Sequence, residues 1–230
     1  LQFFLSPAAF SKYAEYLKAS SCCERPELVY GGKDSKVVSD SIKLTPVRVY
    51  HKDICSDDEA IGLVFDLGKE DEGERPFKLG LTSDTRRHDD LTAEFQGCSV
   101  LLAHLGTLET MAQYSNGGLK NHLGLKGCHS LMREVEPTLF VIGEFGEELL
   151  NCRTDIVRIM DLHKPEGTVK VLGADSNLAI GLDEELTIIC CHPACRETPV
   201  HIPLPEAEPV MGDDGFFRYY CPKHSITGDK

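Results

Sequence analysis

The sequence predicts an α/β fold around a mixed sheet, and three observations predict it. Up to Thr82 the chain reads as strands joined by polar turns, with hairpin pairing between neighbours. Beyond Asp84 short apolar strands alternate with segments of helical spacing, and hairpins followed by strand–helix units give a mixed sheet. Three apolar runs also close on residues able to bind a metal. Lys78-Leu79-Gly80-Leu81-Thr82 leads to Asp84, Cys98-Ser99-Val100-Leu101-Leu102-Ala103 ends on His104, and Thr138-Leu139-Phe140-Val141-Ile142-Gly143 ends on Glu144. A strand delivers its last side chains to a sheet edge, so these three polar groups are expected at the mouth of the core.

In order, Leu1 to Leu5 reads as a strand, and Ser6-Pro7 as an N-cap with proline in the first helical turn. The helix then runs to about Lys18, with Phe10, Tyr13, Ala14 and Leu17 on its apolar face. Ser20 to Asp40 is polar and rich in glycine and lysine, a surface loop or an edge hairpin. Ile42 to Tyr50 alternates as a strand and ends in His51; Asp53 to Glu59 is an acidic turn, and Ala60 to Asp66 the next strand. Lys69 to Arg75 is a charged hairpin turn, and Phe77 to Thr82 returns as the partner strand. Then come a short helix (Leu91 to Gln96), a strand (Cys98 to Ala103), a loop (Gly118 to His122) and a helix (Leu125 to Val135) that Glu136-Pro137 stops. Leu139 to Ile142 is a buried strand, and Glu147 to His163 a helix with the apolar stripe Leu149, Leu150, Ile156, Ile159 and Met160. Val169 to Leu172, Asn177 to Leu182 and Leu186 to Cys190 are short β segments, after which the chain is loop-rich.

With 230 residues, 41% hydrophobic and 27% charged, the chain can bury one good core or one core plus an appendage. The formal charge of -13 argues against holding nucleic acid by bulk electrostatics, although a bound divalent cation would change the local field. No apolar stretch approaches the roughly 18 residues that span a bilayer. The chain carries no signal-peptide pattern, so its ten cysteines read as reduced thiols of a cytoplasmic protein, with Cys98, Cys152 and Cys190 as small buried hydrophobes. It opens on Leu1 without a methionine and reads as a piece of a longer protein. A protein partner or a homo-oligomer is compatible with it, a membrane is not.

From His51 onward the order of features resembles the second half of a metallo-β-lactamase-fold hydrolase. The matching residues are a histidine after a strand (Val47-Arg48-Val49-Tyr50-His51), a two-stranded hairpin, and Thr82-Ser83-Asp84-Thr85. The resemblance implies an αββα sandwich, here partial, over residues 1–190. It implies a two-metal site in which His51 is a ligand and Asp84 the bridging carboxylate. Glu144 stands where that family usually has histidine. The family's His-x-His-x-Asp-His cluster lies upstream of these motifs, and no such string occurs in the 230 residues. His104-Leu105-Gly106 and His122-Leu123-Gly124 repeat a triplet near strand ends, so His104 and His122 are further ligand candidates. Asp84, His122 and Glu144 are the candidate catalytic residues, and two Zn or Mn ions the expected cofactor. The implied reaction is metal-assisted hydrolysis, most often of a phosphodiester in the family's nucleic-acid branch, with nucleic acid or a nucleotide as substrate. A non-catalytic interaction or sensor module and an amide or ester hydrolase are the alternatives. Arg86, Arg87, Arg153 and Arg158 are expected to be solvated or paired with Asp89, Asp90 or Asp155.

Residues 191–230 form the appendage. Cys191-His192-Pro193-Ala194-Cys195 and Cys221-Pro222-Lys223-His224 approximate the spacing of a zinc knuckle, with Cys191, Cys195, Cys221 and His224 as ligands of a structural Zn and Cys190 able to replace Cys191.

Overall fold

Seven strands pair into one mixed sheet whose order follows the chain. In the computed structural model, which describes residues 4–5, 27–28, 35–51, 60–68, 77–108, 122–149, 151–175, 178–182 and 185–225, β1 (Phe4–Leu5) and β2 (Glu27–Leu28) form a short parallel pair. The sheet itself runs β3 (Lys36–Ser39), β4 (Ile42–Arg48), β5 (Ile61–Leu67), β6 (Phe77–Leu81), β7 (Val100–His104), β8 (Leu139–Gly143) and β9 (Lys170–Gly173). The expected helix from Pro7 to Lys18 and the turns at 53–59 and 69–75 lie outside the described residues.

The pairing changes character at β6. From β3 to β6 every pair is antiparallel; from β6 to β9 every pair is parallel. Parallel neighbours need a crossover, supplied by α1 (Leu91–Glu94), α2 (Leu125–Val135) and α3 (Arg153–Leu162). Burial follows the pairing. All five residues of β8 are buried, as expected of a strand covered on both faces, whereas β4 mixes buried and exposed positions. Among the described residues β3 pairs with Ile42, Lys43 and Leu44 of β4 and not with Pro46, in keeping with a proline's lack of an N–H to give a ladder.

Helix α2 matches the predicted range and buries Cys128, Leu131, Met132 and Val135; Glu136 closes it in the left-handed conformation (φ 49°), just before Pro137. The predicted helix from Glu147 to His163 is instead two pieces, a 3-10 turn at Glu147–Leu149 and then α3. Asn151 and Cys152 are weak helix formers, and the break resets the buried face to Arg153, Ile156, Val157 and Met160. Ile159, expected on the apolar stripe, is therefore 52% exposed.

A second sheet of β10 (Ile180–Leu182), β11 (Leu186–Ile189) and β12 (His201–Pro203) is antiparallel, followed by the two-stranded β13 (Val210–Met211) and β14 (Phe217–Arg218). Ile188, Ile202, Phe217 and Tyr219 are buried in the same apolar cluster as Val141, Ile142 and Leu172 of the large sheet. No helix among the described residues is long and apolar enough to cross a membrane.

Candidate metal centre

The site follows from the direction of the strands. β6, β7 and β8 are parallel, so their C-terminal ends lie on one edge of the sheet. β4 and β6 each pair antiparallel to β5 and therefore also point the same way. That edge receives His51 just after β4, Asp84 after β6, His104 at the end of β7 and Glu144 after β8. The carboxyl ends of strands are where open α/β sheets place their ligands.

Two buried threonines fix the loop that carries Asp84. The Thr85 hydroxyl accepts from the Tyr50 amide at 3.0 Å and donates to the Arg86 carbonyl, while the Arg86 amide returns to the Tyr50 carbonyl at 3.0 Å. Thr82 accepts a long 3.4 Å bond from the His104 amide and donates its hydroxyl to the Ser83 carbonyl. Asp84 is thus tied toward His51 on one side and His104 on the other. Residue type alone assigns neither threonine a role; the sequence signal is their position flanking the aspartate. Ser83 (φ 53°) and Glu144 (φ 46°) both adopt the left-handed backbone that non-glycine residues avoid, which is strain concentrated beside the ligand positions.

His122 arrives from a different element, just ahead of α2. Its backbone neighbourhood lies against the segment after β7, through the Gly106 amide bonded to the Leu123 carbonyl at 3.2 Å and a bridge between Thr107 and Gly124. Gly106 is the reason the ring can sit there. A Cβ at that position would lie 2.5 Å from His122 Cβ and Cγ.

Asp84 is the hub. Its Oδ1 lies 3.2 Å from His122 Nδ1 and 3.5 Å from His104 Nδ1, and its Oδ2 lies 3.9 Å from His51 Nε2. His104 Nδ1 also stands 2.8 Å from Glu144 Oε2, yet this buried nitrogen has no well-aligned hydrogen-bond partner, so the pair is a charge contact rather than a hydrogen bond. The rings of His51 and His122 meet edge to face at 5.1 Å. Burial alone would raise the Asp84 carboxyl, but the close imidazoles of His104 and His122 outweigh it and hold the group well below the usual carboxylate range. Asp84 is therefore an anion across the neutral range.

These five side chains form two groups that share one member. His51, Asp84 and His122 bring one donor atom each within 4.8 Å of one another, and so do Asp84, His104 and Glu144. Three imidazoles and two carboxylates, with the carboxylate of Asp84 common to both groups, fit a pair of divalent ions such as zinc or manganese. Glu144 is the outlying member, 62% exposed against 30% for Asp84.

Arg86 and Arg158 are exposed, as expected, but Arg87 and Arg153 find other partners than the expected acids. Arg87 bonds Glu134 on α2 at 2.6 Å and Thr92 on α1 at 2.8 Å, tying the loop after Asp84 to both helices. Arg153 pairs with Asp175 at 3.2 Å. Arg86 is exposed, with its guanidinium 5.1 Å from the Tyr50 ring.

In the tail, the donor group is Cys190, Cys195, Cys221 and His224, again within 4.8 Å. Cys191 is not part of it. Side chains alternate faces along extended backbone, so after buried Ile188 it is Cys190 that turns inward, while Cys191 faces the Tyr220 side. The alternation Ile188-Ile189-Cys190-Cys191 was the available signal.

No protein-family model and no curated protein matches the sequence. Solved structures do match in fold. The metallo-beta-lactamase fold protein YhfI from Bacillus subtilis aligns with a TM-score of 0.54 at 12% identity, over 76% of this chain and 63% of that one. Zn(2+)-bound PqqB from Methylobacterium extorquens aligns at 0.56 and 12%, over 76% and 62%. A putative metal-dependent hydrolase from Parabacteroides distasonis aligns at 0.50 and 11%, over 75% and 63%. The chain has the metallo-β-lactamase fold and spans slightly less than two thirds of the length of these proteins.

Proposed function

We propose that the chain carries the Asp84-centred half of a two-ion site in a metal-dependent hydrolase whose substrate is a phosphodiester. The observation that supports this most is the shared carboxylate: Asp84 belongs to both donor groups, the arrangement a bridging ligand needs. Divalent ions held there would supply Lewis acidity and an activated water for hydrolysis.

The remaining roles belong to the chain's own residues. His51 and His122 hold one side of Asp84, and His104, backed by Glu144, holds the other. Thr82 and Thr85 keep that aspartate from turning away. Arg86 is exposed two residues beyond Asp84, and a guanidinium turned toward the site would take a phosphate oxygen through its forked N–H groups, which is the reason for proposing a phosphodiester over an amide or ester.

The test uses the full 230-residue chain loaded with zinc or manganese and bis(p-nitrophenyl) phosphate as substrate. Release of nitrophenolate that depends on metal, disappears in Asp84→Ala and weakens in Arg86→Ala supports the reading. Metal-dependent turnover of p-nitrophenyl acetate but not of the phosphodiester would move the assignment to ester hydrolysis. Metal binding with turnover of neither substrate would favour an interaction module.

A further inference from the structure

The second donor group has no part in the hydrolytic reading and stands apart from it. We propose that Cys190, Cys195, Cys221 and His224 hold one tetrahedral zinc ion, closed to water, that staples the tail onto the large sheet. Three separate segments supply the ligands: the chain after β11, the 3-10 turn Pro193–Cys195, and the residues after β14. His224 Nδ1 lies 3.3 Å from both Cys195 Sγ and Cys221 Sγ. That is near the ~3.5 Å edge expected of a tetrahedron with Zn–S of about 2.3 Å and Zn–N of about 2.0 Å.

The surroundings match a closed structural site. All three thiols are buried and none is in a disulfide. The Cys190 sulfur accepts the Cys221 amide at 3.2 Å, the kind of N–H···S contact that stabilises a thiolate. His224 is held by its own amide bonded to the Cys221 carbonyl at 2.8 Å. Its ring stacks on His192 at 3.9 Å and 6°, and His192 is in turn fixed by accepting the Ala194 amide on Nδ1. Packing alone gives no reason for three sulfurs and an imidazole nitrogen to converge on one point; a soft-ligand cation does.

The staple would hold a segment that reaches back to the large sheet. From Cys221 the chain runs back through Tyr219, whose hydroxyl donates to the Gly173 carbonyl of β9 at 2.5 Å, to Phe217, whose amide bonds Asp175 at 2.7 Å. The Phe217 ring meets Phe145, the residue after Glu144, at 5.8 Å, and the Arg153 guanidinium lies 5.2 Å from the first ring and 5.5 Å from the second. The zinc therefore anchors one end of a segment whose other end braces the strand-end loop of β8.

The experiment purifies the full chain under reducing conditions and measures zinc retained after dialysis, then replaces it with Co²⁺. The expected result is one equivalent of tightly held metal that Asp84→Ala retains as the wild type does. The cobalt form should show thiolate charge-transfer absorption and the intense visible bands of tetrahedral geometry. Cys195→Ser and Cys190→Ser lose these bands, whereas Cys191→Ser and Asp84→Ala keep them, so the outcome is independent of the hydrolase site. If a serine variant does not fold, His224→Cys provides the readout by retaining zinc and shifting the charge-transfer band. Loss of the bands in Cys191→Ser with retention in Cys190→Ser overturns the ligand set. A disulfide among these cysteines in the purified chain, or an absence of cobalt–thiolate absorption in the wild type, overturns the site.

Discussion

Replacing Gly106 by alanine is the sharpest perturbation of the proposed centre that leaves every donor in place. The added methyl would stand 2.5 Å from His122 Cβ and Cγ, and reaching ordinary contact at 3.4 Å requires the ring or the backbone to give by about 0.9 Å. The backbone has little room to yield, because the Gly106 carbonyl faces Gly146 so closely that a Cβ there would lie 2.1 Å from it. His122 therefore moves, and its 3.2 Å contact with Asp84 opens. Overpacking of this kind costs about 1–3 kcal/mol of stability. A ligand displaced by about 1 Å costs on the order of 100-fold in whatever the geometry supports. The assay is competition for zinc or manganese between the chain and a chelator of known affinity, with urea unfolding in parallel. Gly106→Ala is expected to weaken the Asp84-centred metal by about 10- to 100-fold while leaving the tail zinc in place. Unchanged affinity in a variant shown to be destabilised would refute the idea that Gly106 seats His122 as a ligand.

Three further outcomes follow from contacts around the site. Thr85→Val removes the acceptor of the Tyr50 amide and should cost about 1–3 kcal/mol in urea unfolding, with weaker metal retention because His51 and Asp84 lose their common anchor. Arg153→Ala leaves the mostly covered Asp175 carboxylate without its partner and should destabilise by about 3–5 kcal/mol, a loss that Asp175→Asn partly restores. Glu134 gives a pH signature. Hydrogen bonds from Ser130 and Thr92, with Arg87 adding charge, lower its carboxyl from 4.5 to about 2. A depressed carboxyl contributes stability above its unfolded value and loses it as pH falls through the folded one. Wild type should thus exceed Glu134→Gln at neutral pH, by no more than about 1 kcal/mol because the group is largely exposed, and the gap should close between about pH 4.5 and 2. A gap that widens on acidification would contradict the assignment.

Much of the architecture was legible because period and punctuation agree in this chain. Leu125 to Val135 carries helical spacing and stops at Glu136-Pro137, and the structure has the same helix. The run Leu139 to Ile142 has no polar interruption, and its strand is buried on both faces. The strand-end rule placed Asp84, His104 and Glu144 on one edge, and reading order alone put His51 with them. Long-range geometry was not legible. Nothing in the residue string says that Arg87 reaches Glu134, 47 residues away, or that Arg153 sits between Phe145 and Phe217. The split of the 147–163 segment is not visible in its apolar spacing, which runs on across the weak helix formers Asn151 and Cys152. The role of Cys190 stays open in the sequence, as a small hydrophobe or a ligand in place of Cys191, because a buried thiol looks the same there whether it packs or ligates.

Asp84 is common to both donor groups and would be needed to hold ions at either, and the difference in bound metal between wild type and Asp84→Ala tests this most directly. Elemental analysis of both proteins, equilibrated with the same zinc or manganese concentration, is expected to show two equivalents more in the wild type, with the tail zinc common to both. Equal metal content in a folded Asp84→Ala variant would contradict the account.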